Sequence, residues 1–78
     1  MKTEVVDGVK NVLEVLLEHP IENVMDVSQN NEELWDSLKH LEICVTLEEE
    51  FSIKFDKTMI PNLNSGKAII EAVEGLLQ

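Results

Sequence analysis

Three stretches of this chain repeat apolar residues at intervals of three and four, and prolines or polar runs separate them. Val5, Val9, Val12, Leu13, Leu16 and Leu17 make the first stretch. Leu41, Ile43, Cys44, Leu47 and Phe51 make the second, and Ile69, Ile70, Val73, Leu76 and Leu77 the third. This is the helical period, so each stretch carries one apolar face, and the three faces must be buried on one another. The pattern predicts an all-α fold: a small bundle of three main helices plus one short helix, with a long loop between the first two. The first helix is expected over residues 3–18, with Thr3 as its cap, a slight weakening at Gly8 and a stop at Pro20. His19, ahead of that proline, reads as a helix-terminus cation.

Residues 19–36 form a long connection, and Ile21, Val24, Met25 and Val27 predict that it folds back across the bundle. Ser28-Gln29-Asn30-Asn31 reads as a polar turn, and Glu32-Glu33-Leu34 as one short turn. Asp36 and Ser37 both suit an N-cap, so a helix opens there and runs to about Phe51. Projected at about 100° per residue, that helix puts Leu41, Ile43, Cys44, Leu47 and Phe51 on one core arc. Leu38 and Val45 fall outside the arc, edged by Glu42 and Glu49. An apolar strip bordered by carboxylates is what a docking surface needs. Ile53 and Phe55 are expected to anchor the next connection. Asp56 can cap a short helical turn in which Met59, Ile60 and Leu63 face inward and Pro61 limits the length. Asn64 or Ser65 then caps the last helix, where Gly66 is expected to loosen the first turn.

At 78 residues the chain is one domain, 1–78, near the lower limit for a self-sufficient core. Cys44 is the only cysteine, so no disulfide can form within the chain; its place in the apolar pattern marks a structural thiol. Met1-Lys2-Thr3-Glu4 does not resemble a signal peptide, and no apolar run reaches membrane-spanning length, so a cytoplasmic, soluble monomer is expected. Sixteen acidic residues stand against six lysines, a formal charge of −10, which argues against nucleic acid and favours partners with basic patches. Hydrophobic residues at 44% with helical periodicity argue against disorder.

Catalysis finds little support. Ser37, His40 and Asp36 contain the side chains of a hydrolytic set, but Asp36 beside Ser37 is poorly placed to sit behind the histidine. Neither a Gly-x-Ser-x-Gly elbow nor an EF-hand loop is present, and the consecutive Glu48-Glu49-Glu50 point in different directions on a helix. The residues alone support a non-enzymatic role.

Asp36-Ser37-Leu38, Leu41-Glu42-Ile43 and Leu47-Glu48-Glu49-Glu50-Phe51 resemble the modification site and second helix of acyl carrier proteins. The likeness extends to length, acidity and helix order and is strongest over residues 36–55. It implies a carrier whose Ser37 receives a 4′-phosphopantetheine arm from a phosphopantetheinyl transferase (a holo-carrier synthase), with Asp36 as the preceding motif residue. The arm's thiol would hold acyl or aminoacyl groups as thioesters, as in fatty acid biosynthesis and related lipid metabolism. Acyl-loading and acyl-using enzymes would dock on Leu38, Glu42, Val45 and Glu49. Ile43, Leu47, Phe51, Ile60 and Ile69 would line an acyl pocket or serve as ordinary core. Leu34-Trp35 stands where many fatty-acid carriers have a small Gly-Ala pair, and Lys39-His40 interrupts the usual acidity after the motif. Those departures point to a specialised stand-alone carrier. The alternative is an acidic helical interaction module that is never pantetheinylated.

The charge has a direct consequence. Sixteen carboxylates on so small a domain repel one another and oppose compactness. Moderate salt is expected to raise the melting temperature, and divalent cations more than monovalent ones at equal ionic strength. A melting temperature that falls steadily as salt is added from low ionic strength would contradict this.

Overall fold

The computed structural model describes residues 3–77. Three helices, α1 (Thr3–Leu17), α2 (Ser37–Phe51) and α3 (Gly66–Leu77), form an all-α bundle, with 3₁₀ turns at Val24–Asp26, Gln29–Asn31 and Ile60–Asn62. α1 is the shared element and packs on both α2 and α3; the Val24–Asp26 turn rests on α3 and α1. The largest fully buried side chains come from all three helices: Val9, Leu13 and Leu17; Ile43 and Leu47; Ile69, Ile70 and Val73. Each such side chain contributes about 1.5–3 kcal/mol of apolar transfer, which offsets the ordering of a chain that has no cross-link. No helix among the described residues is long and apolar enough to cross a membrane.

Thr3, expected as the cap of α1, is instead its first helical residue, and the position before it lies outside the described residues. α1 ends at Leu17, one residue earlier than the periodicity predicts, because Glu18 turns left-handed at φ 62°. α2 ends the same way at Ser52, φ 55°. Each left-handed residue lets a backbone N–H close on a carbonyl of the last turn: Glu18 N on Glu14 O at 2.9 Å, Ile53 N on Glu48 O at 3.1 Å. A glutamate of each last turn then catches the departing chain seven residues on. Glu14 Oε2 accepts from Ile21 N at 2.7 Å, and Glu48 Oε2 accepts from Phe55 N at 2.8 Å. Glu48 is therefore tied to the backbone of the following connection.

The long connection folds across the bundle as its apolar residues predict: Ile21, Val24 and Val27 are buried. Its far end pairs with the start of α3 through a single antiparallel bridge, Ser28 with Ser65. Gln29 N donates to Asn64 O and Gly66 N to Val27 O, both at 2.8 Å. Of the two candidate caps of α3, Ser65 takes the role, its Oγ accepting from Ala68 N at 3.1 Å. Asp56, expected to cap the short helix, does not: Ile60–Asn62 has Met59 at its N-cap position with no side-chain cap, and Asp56 contributes only its backbone carbonyl, which accepts from Met59 N at 3.0 Å.

Three further expectations are corrected. Leu41 is 53% exposed, because it lies on the same edge of α2 as Leu38 and Val45, three residues after one and four before the other. Leu76 and Leu77 are also exposed, since the last turn of α3 extends past the packed face. Gly66 does not loosen α3. A Cβ there would lie 1.9 Å from Val24 O, so only glycine admits the crossing connection. At Gly8 the Phe51 ring lies against the space a Cβ would take.

Two glycines of α3 separate helix propensity from close approach. Gly75→Ala meets no atom within 4 Å and is expected to stabilise by about 0.5–1 kcal/mol. Gly66→Ala must push the Val24 backbone away and is expected to destabilise by about 1–3 kcal/mol. Denaturant melts of both variants check this; equal behaviour would show that the connection moves freely off α3.

Candidate functional site

The start of α2 is built by a division of labour between two neighbours. Asp36 is extended, φ −89° and ψ −174°, and its Oδ1 accepts from Lys39 N at 2.8 Å. It is the N-cap, and either of the two residues could have been. Ser37 becomes the first helical residue, exposed, with its hydroxyl bonded to no other described residue. The hydroxyl therefore stands free at a helix start, where the macrodipole favours a negative ester.

Beside Ser37 runs the edge of α2 that the core leaves uncovered. Leu38 is 70% exposed and Val45 53%, as the projection predicts, and Leu41 joins them. Together with Glu42 and Thr46 they line a shallow, almost wholly apolar depression of about 300 Å³. Thr46 Oγ donates back to Glu42 O at 2.7 Å. Glu42 and Glu49 are both exposed. Lys39 Nζ lies 3.6 Å from Glu42 Oε2, so one carboxylate of the strip is partly neutralised by its own helix.

His40 stands elsewhere than the sequence reading put it. It is buried and does not interrupt the acidic surface; Lys39 alone does. Trp35 Nε1 donates to His40 Nδ1 at 2.9 Å, and His40 Nε2 donates to Ile60 O at 2.6 Å. The two rings are roughly parallel, 24° apart, with centroids 6.1 Å from each other. Trp35, only 2% exposed, thus fills part of the core. Both His40 nitrogens are engaged away from Ser37, so Ser37, His40 and Asp36 do not assemble as a hydrolytic set. The signal for this was in the spacing. Positions 40, 43, 44 and 47 follow the i, i+3, i+4, i+7 rule, and only the polarity of His40 sets it apart from the apolar pattern.

Cys44 is buried, with its Sγ 4.0 Å from His40 Nε2. Burial, helped by the Glu48 charge, pushes its thiol up to about 11, so it stays protonated and unreactive at neutral pH. Of the acyl-pocket candidates, Ile43, Leu47 and Ile69 are fully buried in one core cluster, while Phe51 and Ile60 pack half-buried against it. Among the described residues no group of three His, Cys, Asp or Glu comes together to hold a metal. No protein-family model matches the chain, and no curated protein matches it in sequence.

His19, read only as a terminal cation, is tied across the connection: Nε2 pairs with Glu32 Oε1, and Nδ1 donates to Pro20 O at 2.8 Å. The Glu32 bond first, then the Pro20 bond, raises its pKa above the ordinary 6.5. The contribution of this pair to stability is complete below the unfolded pKa and is lost as pH rises through the raised folded value. Glu32→Gln is expected to move the His19 midpoint, followed by NMR, down toward its ordinary value. A midpoint that does not move would remove Glu32 as the cause.

Proposed function

We propose that this chain is an acyl carrier, holding acyl or aminoacyl groups on a phosphopantetheine arm at Ser37 and presenting them to partner enzymes. One observation carries the reading. Ser37 Oγ is exposed and bonded to no other described residue at the first position of α2, because Asp36 caps the helix in its place. An oxygen with no structural duty can be esterified without cost to the fold. Sequence similarity to the carrier motif over residues 36–55 supports the same assignment.

The residues around Ser37 fit a phosphodiester-linked arm. Ser37 Oγ would hold the phosphate, and Lys39 on the same turn is the nearby cation in sequence. When bound, the arm supplies a terminal thiol for cargo and the reach to enter other enzymes. This chain's own part is to present that attachment point beside a recognisable surface. Leu38, Leu41 and Val45 offer apolar area to a partner, and Glu42 and Glu49 draw basic patches toward it. The phosphopantetheinyl transferase and the enzymes that load and use cargo would share this face. Ile43, Leu47 and Ile69 would have to part for an acyl chain to enter the bundle, with Phe51 and Ile60 as the outer wall. Placement in the cytoplasm accords with a reduced lone thiol.

Intact mass after incubation with coenzyme A and a broad-specificity phosphopantetheinyl transferase tests the reading. One added phosphopantetheine, mapped to the peptide holding Ser37, is the expected result. Ser37→Ala should abolish the gain and change stability by no more than about 0.5 kcal/mol, since the side chain is exposed and is not the cap. An unchanged mass selects an acidic interaction module instead, and an arm on Ser28, Ser52 or Ser65 overturns the site.

A further inference from the structure

We propose that Lys39 is a specificity-determining residue of the docking face: by holding Glu42 it leaves the free negative charge of that face further along α2, at Glu49. The partner that fits is an enzyme with an apolar centre, a basic residue over Glu49 and an acidic residue facing Lys39. This deepens the carrier reading of Ser37 and rests on it.

α2 carries four glutamates and one lysine, and the carboxylates are not equivalent. Glu48 is bound to Phe55 N and serves the fold. Glu42 is the carboxylate that lines the apolar depression with Leu38, Leu41, Val45 and Thr46. Its Oε2 lies 3.6 Å from Lys39 Nζ. Glu49 is exposed and is bonded to no other described residue.

Lys39 is held where it can act on Glu42. Its backbone N–H donates to Asp36 Oδ1 at 2.8 Å, which fixes the start of the side chain. That side chain is only 22% exposed. Projected at about 100° per residue, Lys39 falls between the buried stripe and Glu42, so its aliphatic stem is partly covered while its ammonium stays at the surface.

Distance decides which carboxylate is neutralised. Glu49 lies about 10 Å beyond Glu42 along the helix axis, and about 15 Å beyond Lys39. Screening at physiological ionic strength acts over about 8 Å. Lys39 therefore offsets Glu42 and leaves Glu49 at full strength. The strip has a neutral border near the start of α2 and a negative one further on. A basic group brought over Glu42 also meets the Lys39 ammonium, and that repulsion turns away partners with the wrong charge spacing. A basic group over Glu49 meets no such cation on α2.

A cationic nitroxide and its neutral analogue test the charge arrangement at about 0.15 M salt. The ratio of the relaxation each causes at a side-chain proton reports the local excess of cations there. In wild type the ratio should be higher at Glu49 than at Glu42. Lys39→Met, which keeps an unbranched apolar stem, should raise the Glu42 ratio about two- to threefold, the effect of one unit charge at about 4–5 Å in water. Equal ratios in wild type, or an unmoved Glu42 in Lys39→Met, overturn the proposal. Partner choice is read from pantetheinylation by the broad-specificity transferase at saturating coenzyme A. Lys39→Met should raise kcat/KM by a similar factor, with the gain in KM, and the gain should be lost when Glu42→Gln is also present. A gain that survives Glu42→Gln, or no gain in either background, overturns the specificity role while the carrier reading stands. No mass gain in wild type sinks the carrier reading and the specificity role with it, even where the nitroxide contrast is seen.

Discussion

The bundle depends on how the 19–36 connection is pinned to the head of α3. That segment has only two single 3₁₀ turns of its own, yet it must cover one side of the core. Gly66 N donates to Val27 O, Gln29 N to Asn64 O, and the Val24 carbonyl lies where a side chain at position 66 would be. These contacts seat Ile21, Val24 and Val27 against the helices and bury them. With no disulfide and a core near the minimum size, the loss of that cover would leave α1 and α3 with an open seam. The connection behaves as a fourth wall of the bundle.

Charge is put to structural use in few places. Glu14 and Glu48 each bind a backbone N–H seven residues downstream, just after a left-handed residue ends the helix. Two different sequences, one running into Pro20 and one into Ile53, therefore leave their helices by the same device. Its physical basis is that a chain leaving a helix carries unpaired N–H groups and a last-turn carboxylate is within reach of one. The surplus of acid lies elsewhere on the surface, where mutual repulsion opposes compactness.

α2 differs from a simple amphipathic helix in carrying two apolar stripes. His40, Ile43, Cys44 and Leu47 face α1 and the core, while Leu38, Leu41 and Val45 face solvent beside Ser37. A helix with a single apolar face would leave no such strip exposed, and one apolar all round would need burying everywhere. The buried stripe includes a tryptophan-bonded histidine, so the core reaches the Asp36-Ser37 turn through a directional contact as well as through packing.

The number and order of helices, their approximate ends and most of the core were legible in the sequence, because the 3.6-residue period and proline breaks act locally. Val5, Val9, Leu13, Leu17, Ile43, Leu47, Ile69, Ile70 and Val73 could be assigned inward from spacing alone. So could the exposure of Leu38 and Val45, and the turn at Asp36-Ser37. Tertiary structure decided what spacing leaves degenerate. Leu41 sits at the margin of the apolar arc, and only the position of α1 determines that the margin is bare. His40 has the right spacing for the core, but a polar ring enters it only when two partners from other segments, Trp35 Nε1–H and Ile60 O, meet both its nitrogens. Gly66 reads locally as a weak helix start, and its necessity exists only through the Val24 carbonyl forty-two positions earlier in the chain. Periodicity is a property of one segment, whereas burial of a polar ring and the space around a glycine belong to segments brought together by folding.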